Sequence, residues 1–288
     1  MNAKTNLAVQ AEQKSKSRLP IVRRIVRFDY SDIDTPVFYS DNPVISALWV
    51  GLSATFPLGE AEFIKSVKNY EDQVTDPKLK EEVADFAAQE AHHSLQHKKM
   101  NKQFDELGFN TASIEDIMKE KLSERIEKWS DKKRLMRTVS AEHVTATFAH
   151  YALKQSHVLD DAPESLRNAL LWHAIEEIEH KSVAFDVYQT CEGDMGKLKR
   201  HYAFFCFLEF PFQMALITRF LLKQHDTKVT WSHRWGMVKH LFGKSGMVSS
   251  VFSIYLMFLR RGFHPWQHDD SALIDEWKTK LSPYFQNV

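Results

Sequence analysis

Glycine is scarce in this chain, nine in 288 residues, and no Asn-Gly or Asp-Gly pair occurs. Two-residue hairpin turns depend on such pairs because they adopt positive φ at little cost, so the shortage argues against sheets and for helices. Cysteine is scarcer still. Cys191 and Cys206 form neither a disulfide framework nor a thiolate metal motif, and a reducing cytosol is the plain reading. There is no excess of either charge: Lys plus Arg number 38, as do Asp plus Glu. That balance excludes the general basic field of a nucleic-acid partner. The first nineteen residues lack the apolar segment of a secretory signal. Residues 1–20 read as a disordered polar tail.

What is there is 43% hydrophobic, enough for a sizeable core. After an irregular lead-in, Asn42-Pro43 announces a long helix over about 46–74. Thr75-Asp76-Pro77 starts a second, with Asp as cap and Pro at the first helical position, ending near Gly108. Residues 111–130 form a charged amphipathic crossover helix. A third long helix covers about 132–157 and a fourth about 164–191, closed by Gly193. The first and second, and the third and fourth, are joined by short loops, so each pair is antiparallel. Two hairpins joined by one long crossover define a ferritin-like four-helix bundle over residues 21–195. Residues 196–288 add C-terminal hydrophobic helices.

The register of the four helices carries the functional signal. Core-facing helices repeat apolar residues three and four apart. The four seams read Phe56-Glu60-Phe63-Val67, Phe86-Glu90-His93-His97-Met100, Leu135-Val139-Glu142-Ala146 and Leu170-His173-Glu177-His180-Ala184. Carboxylates and imidazoles thus interrupt each apolar seam. Buried ionised glutamates repel one another, and several must protonate unless cations neutralise them. Two divalent ions resolve the conflict. Glu60 and Glu142 supply one carboxylate each, and Glu90/His93 and Glu177/His180 supply Glu-x-x-His pairs, the ligand pattern of dinuclear carboxylate proteins. One such pair arises by chance in roughly one place in a chain of this composition, so the weight rests on two pairs, both on core seams. The seam prefers Glu60 over Glu62, and Glu177 over Glu176 and Glu179. His97 and His173 lie one turn away, as further ligands, as groups orienting a Glu, or as core histidines. His92 and His143 flank the seams; Trp172, Phe148 and Tyr151 read as packing.

With these residues laid out, the chain resembles a bacterial family of predicted metal-dependent hydrolases related to ferritin-like di-iron carboxylate proteins. The resemblance rests on FPLGE ending at Glu60, QEAHHSLQH from Gln89 to His97, AEH around Glu142 and WHAIEEIEHKSVAFD from Trp172 to Asp186. The GFHPW segment from Gly262 to Trp266 belongs to it too, though for His264 a packing role is the simpler reading. The family's label implies hydrolysis. Four carboxylates with two imidazoles suit iron, manganese or a mixed pair better than zinc. Two iron ions, and hence an O2-dependent oxidase or oxygenase acting on an apolar or amphipathic small molecule, are therefore the first expectation, with an electron donor that the sequence does not name. Dinuclear metal-dependent hydrolysis is the second, and iron oxidation or storage the third.

Residues 202–222 and 246–259 are apolar runs flanked by Lys197, Lys199, Arg200, Arg219, Lys223, Arg260 and Arg261. They read as helices covering the bundle or a homodimer interface, as a peripheral contact with the inner face of a membrane, or, despite Glu209 and Pro211, as a span. Membrane contact would favour a lipid-like substrate for an otherwise cytoplasmic protein.

Overall fold

The structure, a computed structural model, describes residues 19–285; residues 1–18 of the expected polar tail lie outside them. Among the described residues the chain is all-α, with no β-strand. Helix α1 spans Pro43–Lys68. Asn42 caps it, its Oδ1 accepting from the Val44 and Ile45 amides at 3.0 and 3.4 Å. It starts and stops earlier than its apolar pattern suggests, because the chain tightens into a 3-10 turn at Glu71–Gln73 before Asp76 opens the next helix. Helix α2, Pro77–Glu106, has Asp76 as cap, accepting from Lys78 N at 3.0 Å. Its end is a Schellman motif. Gly108 at φ 92° lets Phe109 N reach Phe104 O (3.1 Å) and Gly108 N reach Asp105 O (3.0 Å).

Helix α3 (Thr111–Lys128) crosses over to α4 (Asp131–Lys154). The expected single helix over 164–191 is instead two, α5 (Glu164–His180) and α6 (Val183–Cys191), broken by a turn at Lys181 and Ser182. The reason is tertiary. Lys181 Nζ binds Asp270 Oδ2 and the His268 carbonyl, both at 2.7 Å, and Trp266 Nε1 donates to Ser182 Oγ at 3.1 Å. These bonds hold the turn against a segment far along the chain. His264 is buried there, its Nε2 2.9 Å from Asp186 Oδ1.

α1 lies along α2 and α4 along α5; α2 also meets α5 and α6, and α1 meets α4. The four rods therefore share one interior. Its two ends are apolar: Phe86, Leu135, Val139 and Val187 at one, Met100, Phe104, Leu153 and Leu166 at the other. Each such side chain contributes about 1.5–3 kcal/mol by leaving water. The polar seam residues lie between these ends. Helix α7 (Met195–Phe204) continues through a π-helical turn, Phe205–Glu209, into α8 (Phe210–Gln224). α7 packs on α4 and α8 on α1, where Gly51 admits Ile217 so closely that a Cβ would sit 2.8 Å from its Cγ2. Helix α9 (Trp231–Phe242) lies on α1, α10 (Phe252–Met257) on α4, and α11 (Ser271–Leu281) on α5 and α4.

Candidate metal centre

All six seam residues, Glu60, Glu90, His93, Glu142, Glu177 and His180, are buried. Donor atoms of Glu90, Glu177 and His180 lie within 4.8 Å of one another, as do those of Glu60, His93 and His173. Glu142 joins the first group, its Oε2 3.4 Å from His180 Nε2. His93 Nδ1 is 3.8 Å from Glu90 Oε2 and 3.7 Å from Glu177 Oε1. Glu90 and Glu177 thus stand between the two groups.

Each of the six has an orienting bond, an inward atom without a hydrogen-bond partner, or both. The atoms without a hydrogen-bond partner are Glu60 Oε1, both oxygens of Glu90 and of Glu142, His93 Nδ1, Glu177 Oε2 and His180 Nε2, although His180 Nε2 stands 3.1 Å from Glu90 Oε1 as an ion pair. Buried polar atoms are rarely left this way without a ligand to meet them. The outward bonds set the orientation. Ser94 Oγ donates to Glu60 Oε2 at 2.8 Å. His93 Nε2 lies 3.1 Å from Glu176 Oε2, and His180 Nδ1 lies 3.0 Å from Gln89 Oε1. With these oxygens as acceptors, each imidazole donates outward and its other nitrogen is left to exchange a proton for a cation.

Left to themselves, these groups balance charge with protons. Burial, then the Glu90 charge, pushes the Glu60 and Glu142 carboxyls well above their usual range. Burial opposes ionisation of Glu90 and Glu177 as well, but the neighbouring histidines outweigh it and hold both below that range. Burial likewise opposes charging both histidines, yet Glu176 and Glu90 push His93 up to about 10, and Glu177 raises His180 well above its usual range. Divalent cations would replace these protons, so the donor set fits them.

His97 and His173 differ. Both ring nitrogens of each are engaged: His97 Nε2 with His173 Nδ1 at 3.0 Å, His97 Nδ1 with Ser53 Oγ at 3.0 Å, and His173 Nε2 with Glu177 Oε1 at 2.8 Å. His173 is near enough to share an ion with Glu60 and His93, but its bonds suit a group that orients Glu177. His143 lies away from the centre, among Tyr202, Phe258 and Phe263. Half-buried Glu62 does not turn inward; it pairs with Arg134 at 2.6 and 2.9 Å.

The sequence reading missed the layer outside the centre. Glu176 and Glu179 are as buried as Glu177 but face outward to Arg24, whose guanidinium lies 3.3 Å from Glu176 Oε1 and 2.6 Å from Glu179 Oε1. Trp172, read as packing, donates to Glu176 Oε1 at 3.1 Å. Gln89 donates to Glu179 Oε2 at 3.0 Å, and Lys278 reaches Glu179 at 2.8 Å. One signal could have pointed there: three glutamates at 176, 177 and 179 on one buried helix demand cations on more than one side. A further group, His150, His268 and Asp270, is already neutralised by Lys181.

Fold and site together define an all-α protein whose interior carboxylates and imidazoles suit metal ions. The chain belongs to the family described as predicted metal-dependent hydrolase, matched over residues 22–269. No curated protein and no solved structure matches the chain. The family supports metal-dependent hydrolysis, the second expectation from the ligand chemistry, over the oxygen chemistry placed first. Neither iron nor kinship with ferritin-like proteins follows from it.

Proposed function

We propose that the chain is a dinuclear metal-dependent hydrolase that cleaves an ester or amide of an apolar or amphipathic small molecule. The observation that carries this reading is the convergence of inward, unpartnered donor atoms from six buried residues on four helices, within a family of that description. Glu60, Glu90, His93, Glu142, Glu177 and His180 would hold the ions. Such ions supply positive charge that acidifies water and polarises a carbonyl. The chain's own part is positional: Ser94, Glu176 and Gln89 aim the donors, and the apolar seam ends exclude bulk water.

A cavity of about 100 Å³ supports the substrate class. Its wall includes Gly59 and Ala141, the chain neighbours of Glu60 and Glu142, and Phe56, whose ring lies 4.5 Å from that of His97. The lining is mainly apolar, with Arg125 and Arg137 able to meet a polar head. The test is hydrolysis of short acyl esters under anaerobic conditions by protein loaded with manganese, iron or zinc. Oxygen-independent cleavage that chelation and Glu90→Ala both abolish is the expected result; the absence of cleavage with every metal overturns the proposal.

A second reading keeps one observation in its favour. Four carboxylates with two imidazoles form a hard donor set suited to redox iron or manganese. Oxygen consumption coupled to substrate turnover would establish that reading, and iron accumulation without substrate would point to storage.

A further inference from the structure

Helices of a folded chain ordinarily turn their apolar stripes inward. Residues 204–242 do the reverse at two places. Along α7 and α8, Leu198, Tyr202, Met214 and Leu221 face the body and are buried. The opposite side, at four-residue spacing, is Phe204, Leu208, Phe212 and Leu216, with Leu208 62% and Phe212 66% exposed. On α9 the outward stripe is Trp231, Trp235, Val238 and Phe242, with Trp231 86% and Trp235 60% exposed.

Charge says what meets these stripes. The whole chain is neutral, but residues 196–261 hold eleven lysines and arginines against only Glu209 and Asp226. Glu209 is already paired with Arg125 and Arg137, at 3.3 and 3.0 Å. Basic groups also stand beside the exposed indoles: Arg234 is 5.8 Å from the Trp231 ring and Lys239 6.0 Å from that of Trp235. A twofold contact with a second copy would set this basic surface against itself. An anionic bilayer neutralises it, takes up the apolar stripes and suits interfacial tryptophans.

We infer that the outward faces of α7–α8 and α9 dock the protein on an anionic lipid surface, lying in the interface without crossing it. The segment Met195–Gln224 is long and apolar enough to span a membrane, yet one side of it is packed on α1 and α4. Docking also bears on access to the interior. A cleft of about 610 Å³ between α3 and α7–α8 is lined by Phe204, Leu208, Phe212 and Leu216, and shares Arg125 and Gln213 with the cavity walled by Gly59 and Ala141. The inference stands whichever chemistry the metal centre performs.

The test is co-sedimentation of the full chain with vesicles of phosphatidylcholine, alone or mixed with phosphatidylglycerol. Partition onto the anionic vesicles should be stronger by about tenfold or more and should weaken in high salt. The pair Leu208→Ser and Phe212→Ser, and separately the pair Trp231→Ser and Trp235→Ser, should each lower that partition by about tenfold, with helix content and metal content unchanged. Equal partition onto both vesicle types, no partition, or variants that bind like the original chain would overturn the inference. So would a stable dimer in solution that the same substitutions dissolve, since the face would then belong to a second copy.

Discussion

His93 and His180 are each fixed from behind, by Glu176 and by Gln89, so that one nitrogen faces the shared interior. Glu142 lacks any such tie, and neither of its oxygens has a hydrogen-bond partner. In chelated protein Glu142→Gln should therefore stabilise the fold, by about 1–3 kcal/mol, because a buried carboxyl crowded by Glu90 no longer needs neutralising. Metal uptake by that variant should fall, and thermal unfolding with metal analysis checks both. Glu90→Ala should lose metal outright. Outside the centre, burial raises the Asp270 carboxyl, but His150, His268 and Lys181 outweigh it and hold it far below an aspartate's ordinary 3.8. A depressed carboxyl stabilises the folded state above 3.8 and loses that contribution only as pH falls toward its folded value. Asp270→Asn should cost about 3–5 kcal/mol near neutral pH, since it leaves Lys181 buried and unpaired. The difference from the unaltered chain should shrink below pH 3.8 in urea unfolding measured across pH.

Among the elements, α1 shows how a helix carrying a candidate ligand tolerates a breaker. Pro57 lies within it and has no N–H for the Ser53 carbonyl four residues back. Asn101 of α2 supplies the missing donor at 3.2 Å, and its Oδ1 accepts from Ser53 Oγ at 2.7 Å. Asn101→Ala should destabilise the chain by about 1–3 kcal/mol through that orphaned carbonyl, read as a lowered unfolding midpoint. The caps at Asp76 and Gly108 were legible in the sequence because they are local: a side chain or a positive φ meets amides a few residues away. The turn at Lys181 and Ser182 was not legible, because its partners, Trp266, His268 and Asp270, are over eighty residues on.

For the whole molecule, the two ends of the described chain converge on one carboxylate. Arg24 arrives at Glu179 from the N-terminal segment and Lys278 from α11. This strap surrounds α5, which is why its residues 171–180 are buried on every side. Arg24→Ala should cost about 3–5 kcal/mol by removing the guanidinium that Glu176 and Glu179 share and leaving Glu179 with Lys278 alone as its cation, and adding Glu179→Gln should recover part of the loss, measured by denaturant unfolding. The exposed apolar faces of α7–α8 and α9 belong to this scale too. The sequence placed apolar runs there and left burial, pairing and membrane contact as alternatives, because hydropathy does not say which neighbour a helix meets.

By itself the sequence determined the all-α class, the long helices and the seam residues that face the interior, since periodicity, caps and buried charge act over a few residues. Tertiary structure alone decided which glutamates turn outward to Arg24, where the fourth long helix breaks and which apolar faces stay exposed. Each of those outcomes depends on partners brought together from distant parts of the chain, and no local pattern records such meetings.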